Sequence, residues 1–278
     1  MGKSFELASE AVSDAVGCPI SKESVRQITE KWGNIVEAKR QAIVDTLFDV
    51  SVDEPEMPPL MNPIENQATI SVDGGMVHLR DEGWKEMRMS VVSAVRPKTA
   101  AERTPAKDSR RYAPYEPQMM IEQHSYQAGL WSPDATGQHL YVEALRRQLS
   151  ECPKVSAVAD GARWIERITR ENFPDVVQIV DWFHAAEKMW FIGRHFFLQP
   201  TARRCWVNKQ LDDLWDGDSD TVIARLDSLP DTDDEVVTSA IGYFSRQADR
   251  MAYHRYRIAG CHIWSGCVES GINTVVHH

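Results

Sequence analysis

With 278 residues, 42% of them hydrophobic, the chain can bury a sizeable core as one large domain or two modest ones. No run approaches the ~18 consecutive apolar residues of a membrane helix, the N-terminus lacks the apolar core of a secretory signal, and five cysteines without a Cys-x-x-Cys pair argue for reduced thiols in a cytoplasm-like compartment. The net charge of −10 speaks against a uniformly basic nucleic-acid binder, but ten acids between Asp212 and Glu235, against Arg225 alone, carry nearly all of it and leave the rest close to neutral.

The pattern predicts a first helix over about Phe5 to Val16, a turn at Gly17-Cys18-Pro19-Ile20, and a second helix capped by Ser21 with a stripe through Val25, Ile28, Trp32, Ile35 and Ile43. Residues 1–50 are therefore a small helical region. It fits either a helix-turn-helix that reads DNA, with Lys22, Arg26 and Lys31 toward phosphates, or an ordinary helical hairpin. The proline- and acid-rich stretch 51–66 is expected to be a linker.

A core over 67–200 follows. Strands are predicted for Ala68 to Asp73, near Met76 to Leu79, and for Trp84 to Val95, an antiparallel meander. Arg96, Lys98, Arg103, Lys107, Arg110 and Arg111 then form a basic, proline-containing stretch that suits a phosphate backbone or, more plainly, a solvated loop. Helix Asp134 to Leu149, strand Lys154 to Ala159, helix Gly161 to Arg170, strand Val176 to Val180 and a long helix from Trp182 alternate in the manner of parallel strands. From 201 to 256 only helices are expected, over Arg203 to Leu214, Asp220 to Leu229 and Asp233 to Tyr253. A final helix falls within 257–278.

Three of the apolar runs finish on an aspartate: Asp73, Asp160 and Asp181. Carboxylates at the C-terminal ends of parallel strands gather in one crevice, where they serve a divalent metal or acid–base chemistry. Each also has a plainer explanation: Asp73-Gly74-Gly75 as a hairpin turn, Asp160 and Asp181 as helix caps. A three-stranded meander followed by two strand–helix units is the order of a ribonuclease-H-like fold, here an α/β mixed sheet with an all-helical insertion. In that fold the first strand lies beside and parallel to the fourth, which would set Asp73 next to Asp160. Joined by a third acid, the pair can hold two divalent cations about 4 Å apart for phosphodiester displacement. Magnesium, a hard ion that keeps water and phosphate ligands, suits the donors.

Five blocks carry a more specific signal: Ser71-Val72-Asp73-Gly74, Glu82-Gly83-Trp84-Lys85-Glu86, Asp160-Gly161-Ala162-Arg163-Trp164-Ile165, Phe173-Pro174 with Asp181-Trp182-Phe183-His184-Ala185-Ala186-Glu187, and Ser265-Gly266-Cys267-Val268-Glu269-Ser270. In this order the chain resembles the DDE transposases of bacterial insertion sequences, the ISKra-type group most closely and the Mutator-like transposases more distantly. The resemblance implies metal-dependent DNA cleavage and strand transfer, with Asp73, Asp160 and Glu269 as catalytic ligands of two Mg2+ (or Mn2+) ions. Asp181 and His184 match a (Cys/Asp)-x-x-His element, expected to brace the insertion against the core, with an approach of His184 to bound DNA or to the surroundings of the metal as the alternative, and Glu187 is expected to be structural. Implied partners are double-stranded DNA, at element ends and target, and a second copy of the chain in a homodimer or larger assembly. The implied location is the bacterial cytoplasm at the nucleoid.

Members of that group run on past the third acid with a basic segment, whereas this chain stops nine residues after Glu269. Either a shortened product of a degraded element or one fragment of an interrupted reading frame is therefore expected, and with the former a second function: an inactive remnant that binds DNA or transposase as a regulator. A glycosidase working through two carboxylates, with Trp84, Trp164 and Trp182 as a sugar platform, is the third possibility.

Overall fold

The structure, a computed structural model, describes residues 4–79, 82–103 and 116–276, without the side chains of 269 and 273–276. The N-terminal helices are α1 (Phe5–Val16) and α2 (Lys22–Phe48). Ser4 and Ser21 cap them by accepting backbone N–H bonds from Leu7 and Ser24, and Gly17 ends α1 at φ +71°, a conformation that glycine adopts without strain. The far half of α2 packs on α3 (Pro133–Arg146), where Gln41 meets His139. The expected linker, 51–66, holds no helix or strand. It is hydrogen-bonded to the end of α3 through Met61 and Ile64, and Ile64 is buried in the core.

The described residues form an α/β structure on a five-stranded mixed sheet: β1 (Ala68–Leu79), β2 (Gly83–Pro97), β3 (Met119–Gly129), β4 (Val155–Ala159) and β5 (Val177–Val180), in the order β3-β2-β1-β4-β5. β1, β2 and β3 are antiparallel neighbours, while β4 runs parallel to both β1 and β5. Two expectations are corrected here. Asp73-Gly74-Gly75 makes no hairpin turn: β1 continues to Leu79, with Asp73 opposite Met89 and Gly75 opposite Met87. The glycines reflect close approach, since a Cβ on Gly75 would lie 2.8 Å from Cγ2 of Ile272. The meander's third strand is β3, which sequence alternation does not announce. A bulge between Val92 and Ala94 and the positive φ of Gln123 (51°) interrupt its period of two. The guanidinium of the fully buried Arg147 holds this irregular edge, donating to the carbonyls of Gln123 and Asn62 at 2.8 Å each.

Helices cover both faces of the sheet. On one, α3 and α4 (Arg163–Asn172) enclose Ile70, Val72, Val92 and Ala157 with Leu140, Ile165 and Ile168. On the other, α5 (Trp182–Phe196) lays the helical stripe Trp182, Ala185, Met189, Ile192 against Val158 and Ile179. The insertion follows as α6 (Pro200–Asp216), α7 (Ser219–Asp227), α8 (Glu235–Gln247) and α9 (Tyr253–Ile258). The single helix expected over Asp233 to Tyr253 is in fact broken after Gln247. That break lets Met251 and Tyr253 turn into the core, where Tyr253 packs edge-on to Trp182 at 5.0 Å. The last helix, α10 (Gly266–Val276), lies across β1 and β2 and packs Cys267, Val268 and Ile272 on Met87, Met89 and Val91. Among the described residues no helix is long and apolar enough to cross a membrane.

Candidate functional site

The parallel pairing of β1 with β4 sets the geometry of the site. Ser71 lies opposite Val158, and two residues farther along each chain stand Asp73 and Asp160. Side chains alternate faces along a strand, so the two aspartates reach the same level on the α5 and α10 side of the sheet. Both line one cavity of about 640 Å3, together with Asp181, His184, Glu187 and Arg194. One carboxylate oxygen of each is fixed by a backbone N–H: Asp73 Oδ1 accepts from Gly74 at 2.7 Å and Asp160 Oδ1 from Ala162 at 2.8 Å.

Asp160 sits just beyond the end of β4, on a turn gripped by the insertion. Tyr243 on α8 donates its hydroxyl to the Asp160 carbonyl at 2.9 Å, and Gln247, one helical turn on, donates Nε2 to the Gly161 carbonyl at 3.0 Å. Gly161 has φ +87° and would press a Cβ to 3.0 Å from the Tyr243 ring, so the turn requires glycine for conformation and for space. Burial, reinforced by the nearby carboxylates of Asp160 and Asp181, holds the Tyr243 phenol well above its ordinary pKa, so it remains a proton donor in this bond.

Asp181 is buried and spans two elements. Its Oδ1 caps α5 by accepting the His184 N–H at 2.8 Å, and its Oδ2 accepts both the N–H of Ser265 and, at 2.9 Å, the Ser265 hydroxyl. The His184 ring approaches that of Tyr243 at 6.1 Å. Asp181 thus ties α5 to the segment entering α10, while His184 faces the insertion.

Glu269 lies on α10, and its side chain is outside the described residues. The helix itself is tightly seated: a Cβ on Gly271 would come within 2.7 Å of the Met89 sulfur, and Met89 is the cross-strand neighbour of Asp73. Among the described side chains, no group of three His, Cys, Asp or Glu is arranged to hold a metal. The donors present are nonetheless oxygen ligands of the kind a hard divalent cation prefers, two carboxylates on one cavity wall.

The expected basic stretch is divided. Arg96 ends in ion pairs with Glu102 at 2.8 Å and Glu122 at 2.9 Å. Lys98 follows β2, with its backbone N–H on the Gln118 carbonyl, and Arg103 is exposed. Lys107, Arg110 and Arg111 lie outside the described residues.

Sequence inspection does not single out Tyr243, Gln247, Lys188, Arg194 or Arg246. A second cavity of about 760 Å3 opens between α5 and α8, shares Asp160, His184, Glu187 and Arg194 with the first, and adds Lys188, Tyr243 and Arg246. The spacing of His184, Lys188, Phe191 and Arg194 along one helical face is the signal that was available for it. No family model matches the chain, and no curated protein matches it.

Proposed function

We propose that the chain is a DDE transposase with a ribonuclease-H-like core, a metal-dependent enzyme that cleaves DNA and transfers the freed strand. One observation carries the proposal: Asp73 and Asp160 stand at the same level of adjacent parallel strands and open into one cavity. The strand order β3-β2-β1-β4-β5 supports the same reading, as does the seating of α10, which bears Glu269, on the cross-strand neighbour of Asp73.

In this proposal Asp73, Asp160 and Glu269 would hold the divalent ions, which when bound activate an attacking oxygen and stabilise the leaving oxygen of a phosphodiester. The chain's own part is positioning. Backbone N–H bonds fix one oxygen of each aspartate, Tyr243 and Gln247 hold the Asp160 turn, and Asp181 latches the approach to α10 onto α5.

The test uses purified protein, a supercoiled plasmid carrying the DNA that flanks the gene, and Mg2+ or Mn2+. Metal-dependent nicking, absent from Asp73→Ala and Asp160→Ala variants that still fold, is the expected result. Nicking that survives both substitutions would remove the basis of the assignment.

A further inference from the structure

The groove between α5 and α8 has a use that the acidic pair alone does not account for. Most arginines near the sheet are neutralised: Arg88, Arg96, Arg167 and Arg250 are each within ion-pair distance of a carboxylate. Lys188, Arg194 and Arg246, which line the groove, have no such carboxylate partner among the described residues. Arg194 and Arg246 are exposed, and Lys188 places its ammonium 4.8 Å from the centroid of the Tyr243 ring. Acids are present too, at Asp160, Glu187 and Glu235, so the groove is mixed in charge rather than uniformly basic.

Aromatic surface lies alongside the cations. Phe191 lines the groove, Trp190 lines the adjoining cavity, and Phe183, on the wall shared with Asp73, is 62% exposed. Phe191 and Trp190 are partly buried and Phe183 is the exposed ring, while Arg246 also donates to the Ser239 carbonyl at 3.3 Å. Cations without a carboxylate partner along a groove and an exposed ring beside it are the two elements that bind single-stranded nucleic acid, the cations through phosphates and the ring through base stacking.

We infer that the α5–α8 groove receives an unpaired stretch of nucleic-acid strand next to the acidic pair, with Arg194, Lys188 and Arg246 contacting phosphates and Phe183, in the adjoining cavity, stacking on a base. The inference rests on the proposed nuclease reading for its biological sense. Its test does not, because binding is measured in EDTA without any cleavage.

Fluorescence anisotropy would compare a blunt labelled duplex with the same duplex bearing a short single-stranded extension. The intact protein should bind the extended probe more tightly by about tenfold, the scale of one stacked base. Arg194→Gln combined with Arg246→Gln, both at exposed positions, should abolish that preference, and Phe183→Ala should reduce it. Lys39→Gln, on α2, should leave it unchanged. Equal affinity of the intact protein for the two probes, or a preference that survives the arginine double variant, would overturn the inference. Nicking assays on the same preparations judge the catalytic reading separately.

Discussion

Asp181 and Ser265, 84 positions apart in the chain, are joined through a single carboxylate oxygen that accepts both the backbone N–H and the hydroxyl of the serine. The other oxygen of the same carboxylate caps α5. Asp181→Ala removes a helix cap and leaves the two half-buried donors of Ser265 without this partner, a loss of about 1–3 kcal/mol in urea denaturation. Asp181→Asn should lose less, because asparagine is also a good N-cap. Equal losses for the two variants would show that the link to Ser265, and not the cap, is what counts.

Glycine at 161 is set by two independent constraints, its φ of +87° and the Tyr243 ring at 3.0 Å. Gly161→Ala should therefore cost about 1–3 kcal/mol in strain alone. Tyr243→Phe deletes only the hydroxyl bond to the Asp160 carbonyl and should cost about 1 kcal/mol. If the turn positions a working carboxylate, both variants should nick DNA more slowly under conditions where both remain folded, as monitored by near-UV circular dichroism.

Arg257 and Glu116 form a bidentate ion pair, at 3.0 Å for both bonds, in which each side chain is nearly inaccessible to water. The guanidinium also stacks on the Trp215 ring at 3.8 Å. Removing the carboxylate charge leaves the arginine buried and uncompensated, so Glu116→Gln should destabilise by about 3–5 kcal/mol. Urea titration of this variant beside an Arg257→Met, Glu116→Leu double variant is the measurement. The double variant should recover much of the loss, because it buries no lone charge.

His262 is buried with Nδ1 unpaired among the described residues, and burial pushes its imidazole from the ordinary 6.5 down to about 4. The unfolded chain takes up this proton near pH 6.5, whereas the folded chain does so only near pH 4. The histidine's contribution is thus complete above about pH 6.5 and declines as the pH falls toward 4, by about 3 kcal/mol. Melting temperature followed across that window should show the decline, and His262→Leu should flatten it.

Cation binding can be followed without turnover. Mg2+ or Mn2+ should raise the melting temperature of the intact protein, since a ligand that binds only the folded state stabilises it. Asp73→Asn and Asp160→Asn should each remove that increase. A shift unchanged in both variants would place the cation elsewhere.

Much of this architecture was legible because the signals were local. Ser21 as a helix cap, the short apolar runs of β4 and β5, and the stripe along α5 each follow from neighbours within a turn or a strand. What the sequence hid was set by distant contacts. Gly74 and Gly75 imitate a turn because glycine is common to turns and to places where another element comes close, and only the docking of Ile272 separates the two cases. β3 is obscured by its bulge, and the break after Gln247 answers to the burial of Met251 and Tyr253 rather than to a helix-stop residue. Asp160 and Asp181 were visible as residues ending strands. That Asp181 reaches Ser265, and that α8 grips the Asp160 turn, depend on side chains more than 80 positions away.

The register of β1 against β4 carries one further consequence. Side-chain direction reverses with every residue of a strand, so whether two carboxylates share a face is a matter of odd and even counts. Asp73 and Asp160 both stand an even step beyond the paired Ser71 and Val158. Deleting one residue between Ser71 and Asp73 would leave composition and hydrophobicity almost untouched, yet turn one acid toward α3 and α4 and away from its partner. The pairing of the acids is in this sense a property of parity, and a single-codon deletion there is a more severe lesion than many substitutions.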